Sequence, residues 1–262
     1  MSNSAETHTP IAERARQSAP VVWLLGKVQS GKTSIIRELT QAPDAEIGSG
    51  FEACTKTARV FDFPGEAPIL RFLDTRGLGE VAYDPAEDIA FCEGRSHLML
   101  AVVKALDTEQ QPVLSVIRAA RKRHPDWPVV VAQTSLHEGY RPGVRHILPY
   151  PFGQSPATVA PETLMRALDH QRSLFETLPG RQPPTFVPID FTQPGDGFDP
   201  IGYGREALID ALIAAAPTAV AVALAELPPM HDDSVSGKFS AHVLGFALAA
   251  GASDAFPVAG VS

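Results

Sequence analysis

VVWLLGKVQSGKTSIIREL, residues 21–39, decides the fold. Its first five residues are a continuous apolar run, as expected of a strand buried on both faces. Gly26-Lys27-Val28-Gln29-Ser30-Gly31-Lys32-Thr33 follows at once, and then Ile35, Ile36 and Leu39 recur at helical spacing. Strand, glycine-bounded loop and helix in that order satisfy G-x-x-x-x-G-K-[ST], the P-loop. In that pattern the N–H groups of the loop and of the helix N-terminus point inward around nucleotide phosphates. Gly26 and Gly31 stand where a Cβ would obstruct the turn or the approach of phosphate. Lys27, Val28, Gln29, Ser30 and Ser34 complete the candidate phosphate site. Lys32 is placed to reach the β and γ phosphates, and Thr33 to offer its hydroxyl to Mg²⁺.

Around this centre, the 262 residues are enough for one large domain or a domain with an appendage. A net charge of −8 argues against a surface built for nucleic acid, so an anionic ligand has to be held locally. Cys54 and Cys92 are too far apart in sequence to form a metal-ligand or redox motif, as in a cytoplasmic protein with reduced thiols. Residues 1–19 read as a polar tail, residues 20–217 as the nucleotide domain, and residues 218–262 as an apolar helical segment that looks truncated. No apolar run is long enough to cross a bilayer.

Downstream of the loop helix, Pro43 to Gly50 breaks the pattern, and Ala58 to Phe63 and Ile69 to Leu73 read as a hairpin turning at Pro64-Gly65. The second strand delivers Asp74-Thr75-Arg76-Gly77. A carboxylate at that place sits near Mg²⁺ in phosphate-loop proteins, and the following glycine offers its N–H to the γ-phosphate. A short helix opens at Asp84-Pro85 and a strand runs from His97 to Val103. A helix from Glu109 to His124 then carries Arg118, Arg121, Lys122 and Arg123 on a face read as solvated. Pro128 to Ala132 is a buried strand, Gly139 to Pro161 a Pro- and Gly-rich loop or lid, Glu162 to Leu178 a helix and Thr185 to Ile189 the last strand. Glu206 to Ala215 closes the domain as a helix that Pro217 stops, and Thr218 to Leu227 starts a separate apolar helix.

GKVQSGKT, then CTKT, then LRFLDTRGLGE resemble the Era-like branch of the translation-factor-related P-loop GTPases. The chain is especially similar to bacterial GTPase-like proteins with an apolar C-terminal domain of unknown function, distant relatives of the immunity-related GTPases. The resemblance covers Val21 onward and implies a three-layer α/β fold, a Ras-like G domain with a mostly parallel sheet, plus the short apolar α-helical C-terminal segment. It implies GTP and GDP as ligands, Mg²⁺ held by Thr33, Thr55 and Asp74, and Thr55 as a switch residue. Lys32, Thr55 and Arg76 are the candidate catalytic residues and Gly77 a γ-phosphate contact. Leu78 stands where many relatives position water with Gln, so slow turnover is implied.

The base-reading motif [NT]-K-x-D of these proteins falls on Thr134-Ser135-Leu136-His137. Ser135 replaces Lys and His137 replaces Asp. That Asp accepts from guanine N1–H and N2–H₂ together, whereas one neutral imidazole nitrogen accepts once. Glu138, one place later, is a second carboxylate candidate. Phe191 and Thr192 fall where relatives place a backbone contact to guanine O6. A P-loop ATPase or kinase using Arg141 and Arg145 in a lid, and a scaffold that binds nucleotide without hydrolysing it, are the rival readings. For residues 218–262 a peripheral membrane contact at the inner face, a protein partner and simple packing on the domain stay open, as does a nucleotide-dependent homodimer.

Overall fold

A computed structural model describes residues 19–40, 51–53, 59–63, 68, 70–74, 78, 86–152 and 160–226. Seven strands form one sheet: β1 (Val21–Gly26), β2 (Phe51–Ala53), β3 (Arg59–Phe63), β4 (Leu70–Asp74), β5 (Leu98–Lys104), β6 (Val129–Thr134) and β7 (Thr185–Pro188). Their order across the sheet is β2-β3-β4-β1-β5-β6-β7. β1 pairs in parallel with β4 on one side and β5 on the other, with Leu24 opposite both Asp74 and Leu100. β6 and β7 extend the parallel part, while β3 runs antiparallel to β4 and β2 antiparallel to β3.

The apolar run at 21–25 explains why β1 lies in the middle. Side chains of a strand alternate between faces, so a strand with no polar side chain must be covered on both. Val22 and Leu24 enter one core with Ile35, Ile36 and Leu39 of α1 (Lys32–Thr40) and Leu208 and Leu212 of α5 (Arg205–Glu226). Trp23 and Leu25 enter the opposite core with Val113, Ile117 and Ala120 of α3 (Gln111–Arg123), and with Phe175 of α4 (Glu162–Phe175). Cys92 of α2 (Ala86–Glu93) joins that second core as a buried free thiol. Helix, sheet and helix therefore make three layers, and the P-loop emerges from the C-terminal edge of β1. The chain moves from β1 to β4 on one side and to β5 on the other, so the loop stands where the strand order diverges, the usual ligand crevice of such sheets.

Three expectations from the sequence fail. The closing helix does not stop at Pro217: α5 continues from Arg205 to Glu226 as one element. Proline in a helix interior deletes one hydrogen bond and crowds the carbonyl four residues back, a penalty of about 3 kcal/mol. The long Ala-rich run on either side favours helix strongly enough to carry it through. Arg121 is not on a solvated face: it is 1% exposed, and its Nη2 donates to the Gln182 carbonyl at 2.6 Å. Burial lowers its affinity for the proton. Gly180 makes room for it, since a Cβ there would lie 1.9 Å from Arg121 Nη2. Finally, β7 is not the last strand, because β8 (Asp190–Phe191) and β9 (Gly202–Tyr203) pair antiparallel beyond it.

Thr55, Arg76, Gly77, Cys54, Pro43 to Gly50, the polar tail up to residue 18 and everything after Glu226 lie outside the described residues. Among the described residues no helix is long and apolar enough to cross a membrane.

Candidate functional site

The loop is built around positions that exclude side chains. At Gly26 a Cβ would lie 2.4 Å from Ser30 Oγ and 2.6 Å from the Val102 carbonyl of β5. Gln29 has φ 60° and Gly31 φ 100°. Two left-handed residues so close together turn the chain inward, and at Gln29 the conformation strains a residue that has a Cβ. Lys32 is buried, with Nζ donating to the carbonyls of Gly26 at 3.2 Å and Lys27 at 3.3 Å, so the ammonium lies against the loop. The Ser30 hydroxyl is buried and, among the described residues, has no hydrogen-bond partner. Val28, 48% exposed, forms the outer lip, and Thr33 is exposed in the first turn of α1. Ser34, beside it, is half-buried.

Neighbouring elements hold the loop in place. Lys27 Nζ pairs with Asp107 Oδ2 at 2.7 Å and donates to the Glu109 carbonyl at 3.1 Å, fastening the loop to the turn after β5. Nothing in the local sequence pointed to Asp107. Leu78 N–H donates to the Gly26 carbonyl at 3.0 Å, and its side chain is 6% exposed in the apolar cluster of Trp23, Leu25 and Leu73. Asp74 ends β4 one strand from the loop.

β6 brings Thr134 and the candidate base-reading stretch to the same edge. Thr134 Oγ1 donates to the Ser30 carbonyl at 2.7 Å, a direct tie between that stretch and the P-loop across 104 residues of sequence. Ser135 follows in the left-handed conformation, φ 57° and ψ 45°, and turns the chain into a single 3-10 turn, Leu136–Gly139. His137 N–H donates to Asp190 Oδ2 at 2.6 Å, and His137 Nδ1 lies 2.8 and 2.9 Å from the two oxygens of the same carboxylate. Asp190 is 1% exposed. Burial pushes its carboxyl up from the ordinary carboxylate range, and the bonds from His137 pull the other way.

Glu138, the second carboxylate candidate, pairs with Lys104 at 2.7 Å. Thr192 N–H is bonded to the Ile201 carbonyl at 3.0 Å, so that donor is committed within the protein, and Phe191 is paired in β8. Arg141 and Arg145 are exposed on the rim of an open cavity of about 510 Å³ that they share with His137, Tyr140, Asp196 and Phe198. No P-loop residue lines that cavity.

Residues 21–134 match the family described as "50S ribosome-binding GTPase". The fold is that of a P-loop GTPase domain. The chain is similar to translation elongation factor SelB from Methanococcus maripaludis at 15% identity and TM-score 0.45, over 76% of this chain and 33% of that one. For a probable GTP-binding protein engB the values are 14% and 0.45, over 75% and 98% of the two chains. For the G domain of the T. maritima FeoB iron transporter they are 18% and 0.43, over 76% and 99%. The chain thus spans about a third of the elongation factor. Among curated proteins none matches it.

The residues fit Mg²⁺ in kind. Thr33 and Asp74 supply a hydroxyl and a carboxylate, the hard oxygen donors this ion takes. Among the described residues no cluster of three or more His, Cys, Asp or Glu is arranged for a metal.

Proposed function

We propose that this chain is a Mg²⁺-dependent guanine-nucleotide switch that hydrolyses GTP slowly to GDP and phosphate. The observation that carries the reading is the loop itself: a glycine with no room for a Cβ, left-handed backbone at 29 and 31, and an ammonium lying against the loop. The Thr134 to Ser30 bond extends it, because it sets the base-reading stretch beside the phosphate site. Lys32 neutralises the β and γ phosphates, and loop N–H groups orient them. Thr33 and Asp74, with Thr55, would hold Mg²⁺, which when bound neutralises charge on the phosphoryl oxygens. Thr55 and Gly77 are the residues that the γ-phosphate would order, and Arg76 is a candidate to stabilise charge on the transferred group.

Slow turnover follows from Leu78. A buried hydrocarbon in the core can neither polarise nor orient an attacking water. The same observation favours a second reading, a nucleotide-gated scaffold that binds and barely hydrolyses. Steady phosphate release from GTP, abolished by Lys32→Ala, is the expected result. Release no faster than the Lys32→Ala background, with GTP bound, selects the scaffold. ATP bound in preference to GTP overturns the guanine assignment and favours an ATPase or kinase.

The segment after residue 217 is proposed to contact a membrane surface or a protein partner, with the protein in the cytoplasm and a nucleotide-dependent homodimer among the partners. Co-sedimentation with anionic vesicles, comparing the full chain with one ending after Glu226 so that α5 stays whole, tests the membrane contact. Equal sedimentation of the two refutes a membrane contact through the residues after Glu226.

A further inference from the structure

We propose that His137 and Asp190 form a coupled base reader, which selects 6-oxopurine nucleotides through a single accepted hydrogen bond and ignores the 2-amino group. The inference rests on the guanine-nucleotide reading above and specifies what that site distinguishes. The carboxylate missing from position 137 is present in the fold, but behind the ring instead of in front of it. Asp190 is 1% exposed and takes both the His137 N–H, at 2.6 Å, and Nδ1, at 2.8 Å. His137, with its side chain 33% exposed, is the member of the pair that a ligand can touch.

The donor and acceptor roles follow from the geometry. Asp190 Oδ2 already accepts from a backbone N–H, so the group faces His137 as an acceptor, and with the carboxylate ionised Nδ1 carries the proton. A neutral imidazole protonated at Nδ1 presents a bare lone pair at Nε2. Among the described residues nothing donates to Nε2, and both ring-nitrogen contacts of His137 run from Nδ1 to Asp190. Phe198, with ring centroids 5.0 Å apart and a 34° tilt, flanks the imidazole and limits its swing. The site therefore offers one acceptor in a fixed direction.

Guanine and hypoxanthine both carry N1–H and satisfy that acceptor. Adenine presents a lone pair at N1, and two lone pairs meet. With no second acceptor, the 2-amino group that separates guanine from hypoxanthine has no partner to reward it. Selectivity of this kind is set by whether a polar group that the ligand covers finds its mate.

Calorimetry with GDP, IDP and ADP tests the proposal in the intact chain with Mg²⁺. GDP and IDP should bind within about threefold of each other, and ADP about tenfold or more weaker. Asp190→Asn can turn an amide N–H toward Nδ1 and so move the imidazole proton to Nε2. GDP and IDP should then weaken together while ADP does not, and ¹⁵N spectra of the imidazole should show the proton exchanged between nitrogens. The double change His137→Asp with Asp190→Asn supplies two acceptors without opposing carboxylates, and should restore a preference for GDP over IDP of about tenfold.

A wild-type preference for GDP over IDP beyond about tenfold would show that the 2-amino group is read and would overturn the proposal. Equal weakening of all three nucleotides in Asp190→Asn overturns it too, because a merely structural carboxylate would do that. Equal binding of all three, abolished by Lys32→Ala, overturns the base reader and leaves the phosphate site standing. No binding of any removes the guanine-nucleotide reading and the base reader with it.

Discussion

Gly26→Ala puts the loop geometry to its sharpest test. The added methyl meets Ser30 Oγ at 2.4 Å and the Val102 carbonyl oxygen at 2.6 Å, where ordinary contact begins at 3.4 Å. Ser30 can rotate away. Val102 cannot, because it lies in β5 with its partner strand register fixed opposite Gly26 and Ala132. The overlap of 0.8 Å with that carbonyl has to be relieved by parting β1 from β5 at their C-terminal ends, where the P-loop begins. Overpacking of this kind costs about 1–3 kcal/mol, which in a chain of this size lowers the melting temperature by roughly 2–12 °C. Urea unfolding followed by the fluorescence of Trp23 and Trp127, both 1% exposed, reads the loss directly. Adding Ser30→Ala should recover little of it, since the backbone clash remains. Gly31→Ala separates sterics from conformation: its Cβ would make only ordinary contact, nearest Thr134 Cγ2 at 3.5 Å, so its cost of about 1–2 kcal/mol would come from φ 100°. If Gly26→Ala unfolds within about 0.5 kcal/mol of the wild type, or Ser30→Ala rescues it, the strand-edge account of the loop is wrong.

Lys32→Ala should abolish binding of nucleotide triphosphate in a calorimetric titration, while leaving the chain folded by circular dichroism. The Lys27 to Asp107 pair is partly exposed at both ends, so a double-mutant cycle on stability should give a coupling of about 1 kcal/mol that shrinks with salt. Glu93 accepts from Arg123 at 2.5 Å, and that bond holds its carboxyl below the ordinary range against the opposing effect of burial. A carboxyl lowered in the folded state adds stability above its unfolded value and loses it as pH falls through the folded one. Glu93→Gln should therefore lower stability near neutrality, change little at acid pH where Glu93 is already protonated, and so flatten the acid limb of stability against pH. Gly180→Ala should destabilise the chain at least as much as Gly26→Ala, by driving Arg121 from its buried place against the Gln182 carbonyl, and thermal unfolding of the two variants compares them.

What could be read from sequence was whatever one short segment determines by itself. The run at 21–25, the glycines at 26 and 31 and the spacing of Ile35, Ile36 and Leu39 fix a strand, a turn and a helix locally, and the structure has all three. Arg121 shows the opposite case. On α3 it has basic neighbours in Lys122 and Arg123, and nothing within the helix reveals that a glycine some sixty residues on leaves a slot for its guanidinium. Pro217 misled for a related reason, since a local penalty was weighed without the helix-forming run on either side of it. Asp107 was invisible because its partner Lys27 lies 80 residues away.

The base-reading stretch shows both limits together. His137 in place of a carboxylate reads from sequence as a loss, because a motif registers only what stands at each of its own positions. Asp190 sits after β7, 53 residues on, and only the pairing of β6 with β7 brings the two strand ends together. A buried carboxylate costs free energy unless it is hydrogen-bonded, and in the proposed base reader the bonds that keep Asp190 tolerable also set the His137 tautomer. Stability of the pair and direction of its lone pair are therefore one property. Any substitution at 190 that keeps the fold but reverses the Nδ1 bond must reverse what Nε2 offers to a ligand, and base selectivity and the imidazole ¹⁵N spectrum would both register the change.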